Sequence, residues 1–289
     1  MNFYDVHNHF HSEDLRDHQT AIMEALGRTG VAGAVVNGTC EEDWDTVAQR
    51  CANANPQVGN AAFRWVPSFG LHPWDVGNRT STWQDRLIGF LDAMPSAGVG
   101  EIGLDRWMLE RARPNDRRLA GLRRAPLPEQ IEVFRAQFNL AVDRQRAISI
   151  HCLEAFGALL EELKFLPNAP RGLLLHAYSG PVEMVPAFAD HGAYFSFNGA
   201  FMESRKQRLR DVFANIPLDR LLVETDAPAM RLPPTLERFY LPAANNLTAP
   251  NHPANLVAAY EALAELRQIS VEVLAESVEA NFLRLFGTA

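Results

Sequence analysis

Short runs rich in apolar and β-branched residues alternate along the chain with longer stretches of helical apolar spacing. The runs predict eight strands: FYDVHNH (3–9), VAGAVVNG (31–38), RWVPSFGLH (64–72), GVGEIGLD (98–105), AISIHC (147–152), GLLLHAY (172–178), AYFSFNG (193–199) and RLLVETD (220–226). The stretches between them predict helices, among them DLRDHQTAIMEALGRTG, STWQDRLIGFLDAM and PEQIEVFRAQFNLAVDRQR. Ser81 and a Thr39–Glu42 box supply N-cap signals. A proline-rich loop and two closing helices, near 253–266 and 270–286, follow the eighth strand.

Alternation of strand and helix calls for parallel strands joined by helical crossovers. Eight such units predict an α/β fold, a (β/α)8 TIM barrel with C-terminal helices, with residues 1–289 as a single domain. An open doubly wound sheet is the alternative. It usually carries a glycine-rich first turn, and none follows the first strand.

Composition changes this picture little. Hydrophobic residues make up 47% and charged residues 21% of 289, an ordinary globular mixture. The net charge of -8 counts against a protein that coats nucleic acid through bulk positive charge, but leaves room for a local basic patch. No apolar run has the length of a membrane span, and MNFYDVHNHF lacks the pattern of a signal peptide. Cys40, Cys51 and Cys152 show no CxxC spacing and read as reduced thiols. The expectation is a cytoplasmic protein without a membrane partner, a monomer or small homo-oligomer.

Functional groups of such a barrel sit at the C-terminal ends of its strands. Strand one ends in His7 and His9, strand three in His72, strand five in His151, strand six in His176 and strand eight in Asp226, while strand four carries Glu101. Side chains alternate along a strand, so His7 and His9 point the same way and can grip one metal ion, with Asp5 on their face to orient a ring. The chain has 9 histidines in all, so their recurrence at strand ends is not a matter of composition. Nitrogen and oxygen donors without cysteine suit Zn, Mn, Ni, Fe or Mg.

These residues resemble a known family. DVHNHF is similar to the D-x-H-x-H opening of the amidohydrolase superfamily. GLHP, GEIGLD, IHC, HAYSG, ETDAP, NHPAN and NFLRLF, in that order, resemble the TatD family of metal-dependent deoxyribonucleases from residue 5 to residue 286. The resemblance implies one or two divalent metals (Zn, Mn, Ni or Mg) at the barrel mouth. His7 and His9 would hold one, His151 and His176 the other, and Glu101 would bridge them. Asp226 would bind the first and handle the proton of the attacking water. The implied reaction is phosphodiester hydrolysis by a metal-bound hydroxide, on DNA that is single-stranded or frayed, or on a small phosphate-containing substrate. The alternative is an amidohydrolase-type enzyme cleaving a C–N, C–O or phosphate ester bond in a small molecule. A non-catalytic decayed barrel should have lost ligands, and every one is present.

His72, Tyr178, Ser179 and Arg106 are candidate substrate contacts, His72 alternatively a turn residue before Pro73. Asn251 and His252 are weaker candidates at the rim. Leu153 stands where the family usually has arginine, which bears on phosphate binding. The segment after GEIGLD is longer than the family pattern: residues 106–126 form an expected loop insertion on the catalytic face, with seven arginines from Arg106 to Arg124. It reads as a phosphate-attracting patch, a solvated insertion or a subunit contact. Trp74 and Trp107 read as base-stacking or packing residues.

Overall fold

The computed structural model describes residues 1–53, 57–58, 61–243 and 248–287. The eight expected strands are present: β1 (Phe3–Asn8), β2 (Val31–Asn37), β3 (Arg64–Phe69), β4 (Gly98–Asp105), β5 (Ile148–Leu153), β6 (Leu173–Leu175), β7 (Ala193–Asn198) and β8 (Leu221–Glu224). They form one sheet whose order is the order of the chain, with parallel pairing. This is the (β/α)8 barrel, with helices α1 (Gln19–Arg28), α2 (Trp44–Asn53), α3 (Trp83–Ala93), α4 (Leu127–Asp143), α5 (Phe156–Leu163), α6 (Val185–Asp190) and α7 (Gln207–Asn215) between strands. The closing pair is α8 (Leu256–Arg267) and α9 (Val271–Phe286), the latter capped by Ser270, whose hydroxyl accepts from Val273 N–H. β1, β4, β7 and β8 are buried at every residue, which is why their sequences are apolar on both faces wherever they carry no chemistry. No helix among the described residues is long and apolar enough to cross a membrane.

The chain packs as two compact units. The first comprises Met1–Val36, Gln49–Val66 and Tyr194–Ala289. In it the hydroxyl of Tyr260 on α8 accepts from Tyr4 N–H (3.1 Å) and donates to Tyr4 C=O (3.0 Å), beside a shift in the register of β1 against β2. Tyr4 stacks on Phe282 of α9 at 4.4 Å, and Asn281 of the same helix donates to Leu218 O and Leu221 O at 2.9 and 2.8 Å. Polar side chains thus fix how α8 and α9 meet β1 and β8, while aromatic burial supplies the driving force.

The second unit comprises Asn37–Ala48 and Pro67–Ala193. Its β4 and β5 approach so closely that two glycines are obligatory. A Cβ on Gly100 would stand 2.5 Å from Ser149 Cβ, and one on Gly103, at φ +150°, would stand 1.9 Å from His151 O. GEIGLD therefore has its glycines where the two strands meet most closely, with Glu101 between them and Asp105 just beyond.

Several local expectations differ from the structure. The first helical stretch breaks into a turn at Glu13–Arg16, capped by Ser12, followed by α1. Thr82, not Ser81, precedes α3. The box before α2 runs in reverse: Asp43 accepts from both the N–H (2.8 Å) and the hydroxyl (2.9 Å) of Thr39. β6 stops at Leu175 and β8 at Glu224, so His176 and Asp226 stand on the loops just beyond.

Candidate metal centre

In the first unit, the end of β1 and the loop after β8 are laced together. Asp226 N–H donates to His7 O (2.9 Å), and His9 N–H donates to Ala227 O (2.8 Å). Asp5 accepts from Thr225 N–H (3.0 Å), Thr225 hydroxyl (2.6 Å), Asn8 side chain (3.1 Å) and His7 N–H (3.2 Å). Burial pushes its carboxyl up to about 7 against those four donors. Asp5 thus fastens backbone to backbone, where the sequence suggested that it orients a histidine ring. The consequence is that His7 Nε2 and His9 Nε2 lie 3.8 and 3.4 Å from one oxygen of Asp226. Asp226 sits in the left-handed region at φ 52°, a conformation costing of order 1–3 kcal/mol that the surrounding bonds maintain. Asn251 of NHPAN donates from its side chain to Thr225 O (3.0 Å) and from its N–H to Pro228 O (2.8 Å). Asn251 thereby supports ETDAP, and His252 beside it is buried against Phe239. Beneath Asp226, buried Glu224 accepts from Asn198 (3.2 Å) and from the hydroxyl of Ser196.

In the second unit, three imidazoles converge on Glu101. His176 Nε2 stands 2.8 Å, His151 Nδ1 3.0 Å and His72 Nε2 3.4 Å from its Oε1. Glu101, His72 and His176 are all buried, and His72, Glu101 and His151 offer ligand atoms within 4.8 Å of one another. His72 Nδ1 accepts from Trp74 N–H at 3.1 Å, so its Nε2 carries the proton of the neutral ring. Burial and the neighbouring His151 hold His72 below the ordinary imidazole range, against the pull of Glu101. Burial also works against a charged His151, but hydrogen bonds to Asp105 and Glu101 outweigh it and lift the ring to about 9.

Asp105 is a residue that sequence reasoning left without a role. Its Oδ2 lies 3.1 Å from His151 Nε2 and accepts from the Trp74 indole at 2.6 Å, while Oδ1 accepts from Met108 N–H at 2.8 Å. Burial alone would raise its carboxyl, and those partners bring it below the usual range. Two fully buried glutamines on α4 were missed as well. Gln130 accepts from Asp105 N–H (2.8 Å) and donates to Asp105 O (3.1 Å). Gln137, seven residues on, accepts from Leu71 N–H (2.7 Å) and donates to Leu71 O (3.2 Å), next to His72. Their spacing of seven on the face that also buries Val133, Phe134, Phe138 and Ala141 was the available signal.

Of the candidate substrate contacts, Ser179 is half-buried on the loop after β6. Tyr178 is fully buried, edge-on to Phe156 at 5.1 Å, with its hydroxyl donating to Pro181 O at 2.7 Å. It holds the HAYSG loop, and Gly180 leaves room for its ring. Arg106 follows β4 directly, with Nε 3.7 Å from Glu110. Residues 106–126 carry one helical turn at Trp107–Glu110 and another at Arg117–Leu119. Leu153 ends β5, paired across to Asp105.

Each group fits a divalent cation by its donor chemistry: a buried carboxylate faced by imidazole nitrogens, with no thiolate among them. A parallel barrel bearing such groups in and just beyond its strands is the setting of a metal-dependent hydrolase. The chain belongs to the TatD related DNase family, whose model matches residues 4–287. It is 29% identical to the 3'-5' ssDNA/RNA exonuclease TatD of Citrobacter koseri, the alignment covering 96% of each chain. It is 27% identical to the protein of that name from Escherichia coli K12, over 99% of each. The crystal structure of the E. coli TatD homologue YjjV superposes with a TM-score of 0.81 at 25% identity, covering 99% of this chain and 98% of that one.

Proposed function

We propose that the protein hydrolyses phosphodiester bonds in single-stranded DNA or RNA, or in frayed ends, with one or two divalent ions. The observation that carries the reading is the meeting of His72, His151 and His176 on the Glu101 carboxylate, in a chain of the TatD related DNase family. The relatives named as 3'-5' ssDNA/RNA exonucleases supply the substrate class. An amidohydrolase-type activity on small molecules has no comparable support.

The proposed ligands are His7, His9, Glu101, His151, His176 and Asp226. When bound, Zn, Mn, Ni or Mg would lower the pKa of water toward ~7 and offset charge on the phosphate. Glu101 presents its carboxylate to several imidazoles at once, which suits a bridging role. Asp226 takes a proton from the attacking water and returns it to the leaving oxygen. Its oxygen is fixed for this by the N–H bond to His7 O and by the loop bonds of Asn251. Asp105 holds His151 in orientation. His72 donates from Nε2, and Ser179 and Arg106 contact the phosphate, with Tyr178 setting the loop that bears Ser179. Residues 106–126 are proposed to lie on the catalytic face. Three cysteines outside any disulfide support a cytoplasmic location.

The test is metal analysis of the purified protein, then assay of end-labelled single-stranded DNA and RNA beside amide, lactone and phosphate-ester substrates. Shortening of the oligonucleotides dependent on added metal is expected. Turnover of an amide or lactone with intact oligonucleotides would overturn the reading.

A further inference from the structure

Seven arginines in residues 106–124 suggest a diffuse electropositive patch. The structure divides them differently. Arg124 donates to the carbonyls of Met108, Ala112 and Arg113 at 3.0, 3.1 and 2.5 Å. Arg123 grips Glu129 through two nitrogens (3.0 and 2.6 Å) and also donates to Gly77 O. Arg111 stands 3.4 Å from Glu154 and Arg106 3.7 Å from Glu110. Arg118 is held flat by two bonds to Asp116, at 3.0 and 2.8 Å. Five arginines therefore shape the segment itself. Arg113 and Arg117 are exposed, and among the described residues their guanidinium groups have no hydrogen-bond or ion-pair partner.

What those five build is a short array of planar groups. The Arg118 guanidinium lies over the Trp107 ring at 4.4 Å, and Trp107 faces Trp74 at 6.1 Å with only 31° between planes. The Trp74 indole N–H donates to Asp105, which in turn bonds His151. Both tryptophans remain partly exposed, as an aromatic ring must be to meet a ligand. The array thus begins at solvent and ends two hydrogen bonds, through Asp105, from the proposed metal ligand His151.

We infer that Arg118, Trp107 and Trp74 form a stacking platform for an unpaired nucleobase next to the scissile phosphate, with Arg113 and Arg117 taking the neighbouring backbone phosphates. The inference rests on the nuclease reading above and adds its substrate subsite. Stacking accepts any base, because every base offers a π-face, and each stacked base typically contributes about 1–3 kcal/mol. The platform is set before substrate arrives, since Asp116 and Asp105 fix both of its ends, so little order is lost on binding. Beyond Arg106 at the site itself, only Arg113 and Arg117 are left for the neighbouring phosphates, so the electrostatic part of this subsite is small. For a single strand the slope of log K against log salt is about -0.7 per phosphate, so the pair accounts for about -1.4.

The experiment is fluorescence anisotropy in chelator with two labelled probes of equal charge, a dT decamer and a decamer of abasic residues. The wild-type protein should bind the dT decamer roughly 10-fold more tightly, about the effect of one stacked base. Trp107→Ala should bring the two affinities together, and Trp107→Phe should restore most of the gap. Melting curves verify that both variants are folded. Arg113→Ala with Arg117→Ala should leave the preference for bases intact and make the salt slope shallower by about 1.4. Equal wild-type affinities for the two probes, or a gap that survives Trp107→Ala, would overturn the platform. Cleavage of the dT decamer with added metal separates the cases. Cleavage without base preference defeats only the platform, whereas an inert protein that ignores both probes defeats the nuclease reading too.

Discussion

At the scale of single residues, the site is built by bonds that hold backbone in place, and the reactive groups inherit their positions. Asp226 is the clearest instance. Its N–H is tied to His7 O and its φ is 52°, so the side chain leaves the loop toward His7 and His9. Asp226→Asn preserves size and the backbone bonds but removes the proton-accepting charge. The rate of oligonucleotide hydrolysis at saturating metal should drop by roughly 10²–10⁴-fold, the usual span for a general base. The melting temperature should stay close to that of the wild type. Turnover within a factor of a few of wild type would take Asp226 out of the proton-transfer role. The same logic explains why Asp105 was hard to read from sequence. It follows GEIGL as an unremarkable strand-end carboxylate, and only the folded chain puts it against His151, Trp74 and Gln130 at once.

At the scale of elements, the eight strands were legible as short apolar and β-branched runs, and their alternation with helices pointed to parallel pairing, with the missing glycine-rich first turn favouring the barrel over the open sheet. His7, His72, Glu101, His151, His176 and Asp226 were legible because each lies at or just beyond the end of a strand, or within β4. What sequence could not show is how helices discipline the loops. A glutamine inside an amphipathic helix reads as a solvent position, yet Gln130 and Gln137 of α4 are fully buried and clamp Asp105 and Leu71. Helix starts also differ from expectation: Thr82, without a side-chain capping bond, precedes α3 where Ser81 was expected, and Thr39 donates to Asp43 before α2. Gln137→Leu keeps the volume but leaves Leu71 N–H and C=O unsatisfied. Each such group costs about 1–3 kcal/mol, so urea denaturation should reveal a loss of at least ~2 kcal/mol. Because Leu71 adjoins His72, the hydrolysis rate of the folded fraction should fall as well. A Gln137→Leu protein with wild-type stability would mean that water replaces the amide without cost.

At the scale of the whole molecule, stability against pH is set by buried groups whose proton affinity changes on folding, and these act in opposite directions. Asp5, raised to about 7 chiefly by burial, favours the folded state below the unfolded value of ~4 and withdraws that support as pH climbs to 7. His252 does the reverse. Burial, and secondarily the charge of His18, lower it to about 4, so the folded protein keeps the ring neutral where the unfolded chain already binds a proton. Its contribution is complete above pH ~6.5 and is lost as pH falls toward 4. The neutral ring also has a structural task, because Nδ1 accepts from Ala254 N–H at 3.0 Å to start the NHPAN turn. His252→Asn retains an acceptor at that point and removes the titration. The stability of wild type minus variant, measured by denaturant from pH 7 to pH 4, should therefore decline with acidification by roughly 1 kcal/mol per pH unit, allowing for solvent screening. The shared response of Asp5 cancels in that difference. A difference flat across the range would show that His252 titrates alike in the folded and unfolded chain, and that the NHPAN turn tolerates a charged ring.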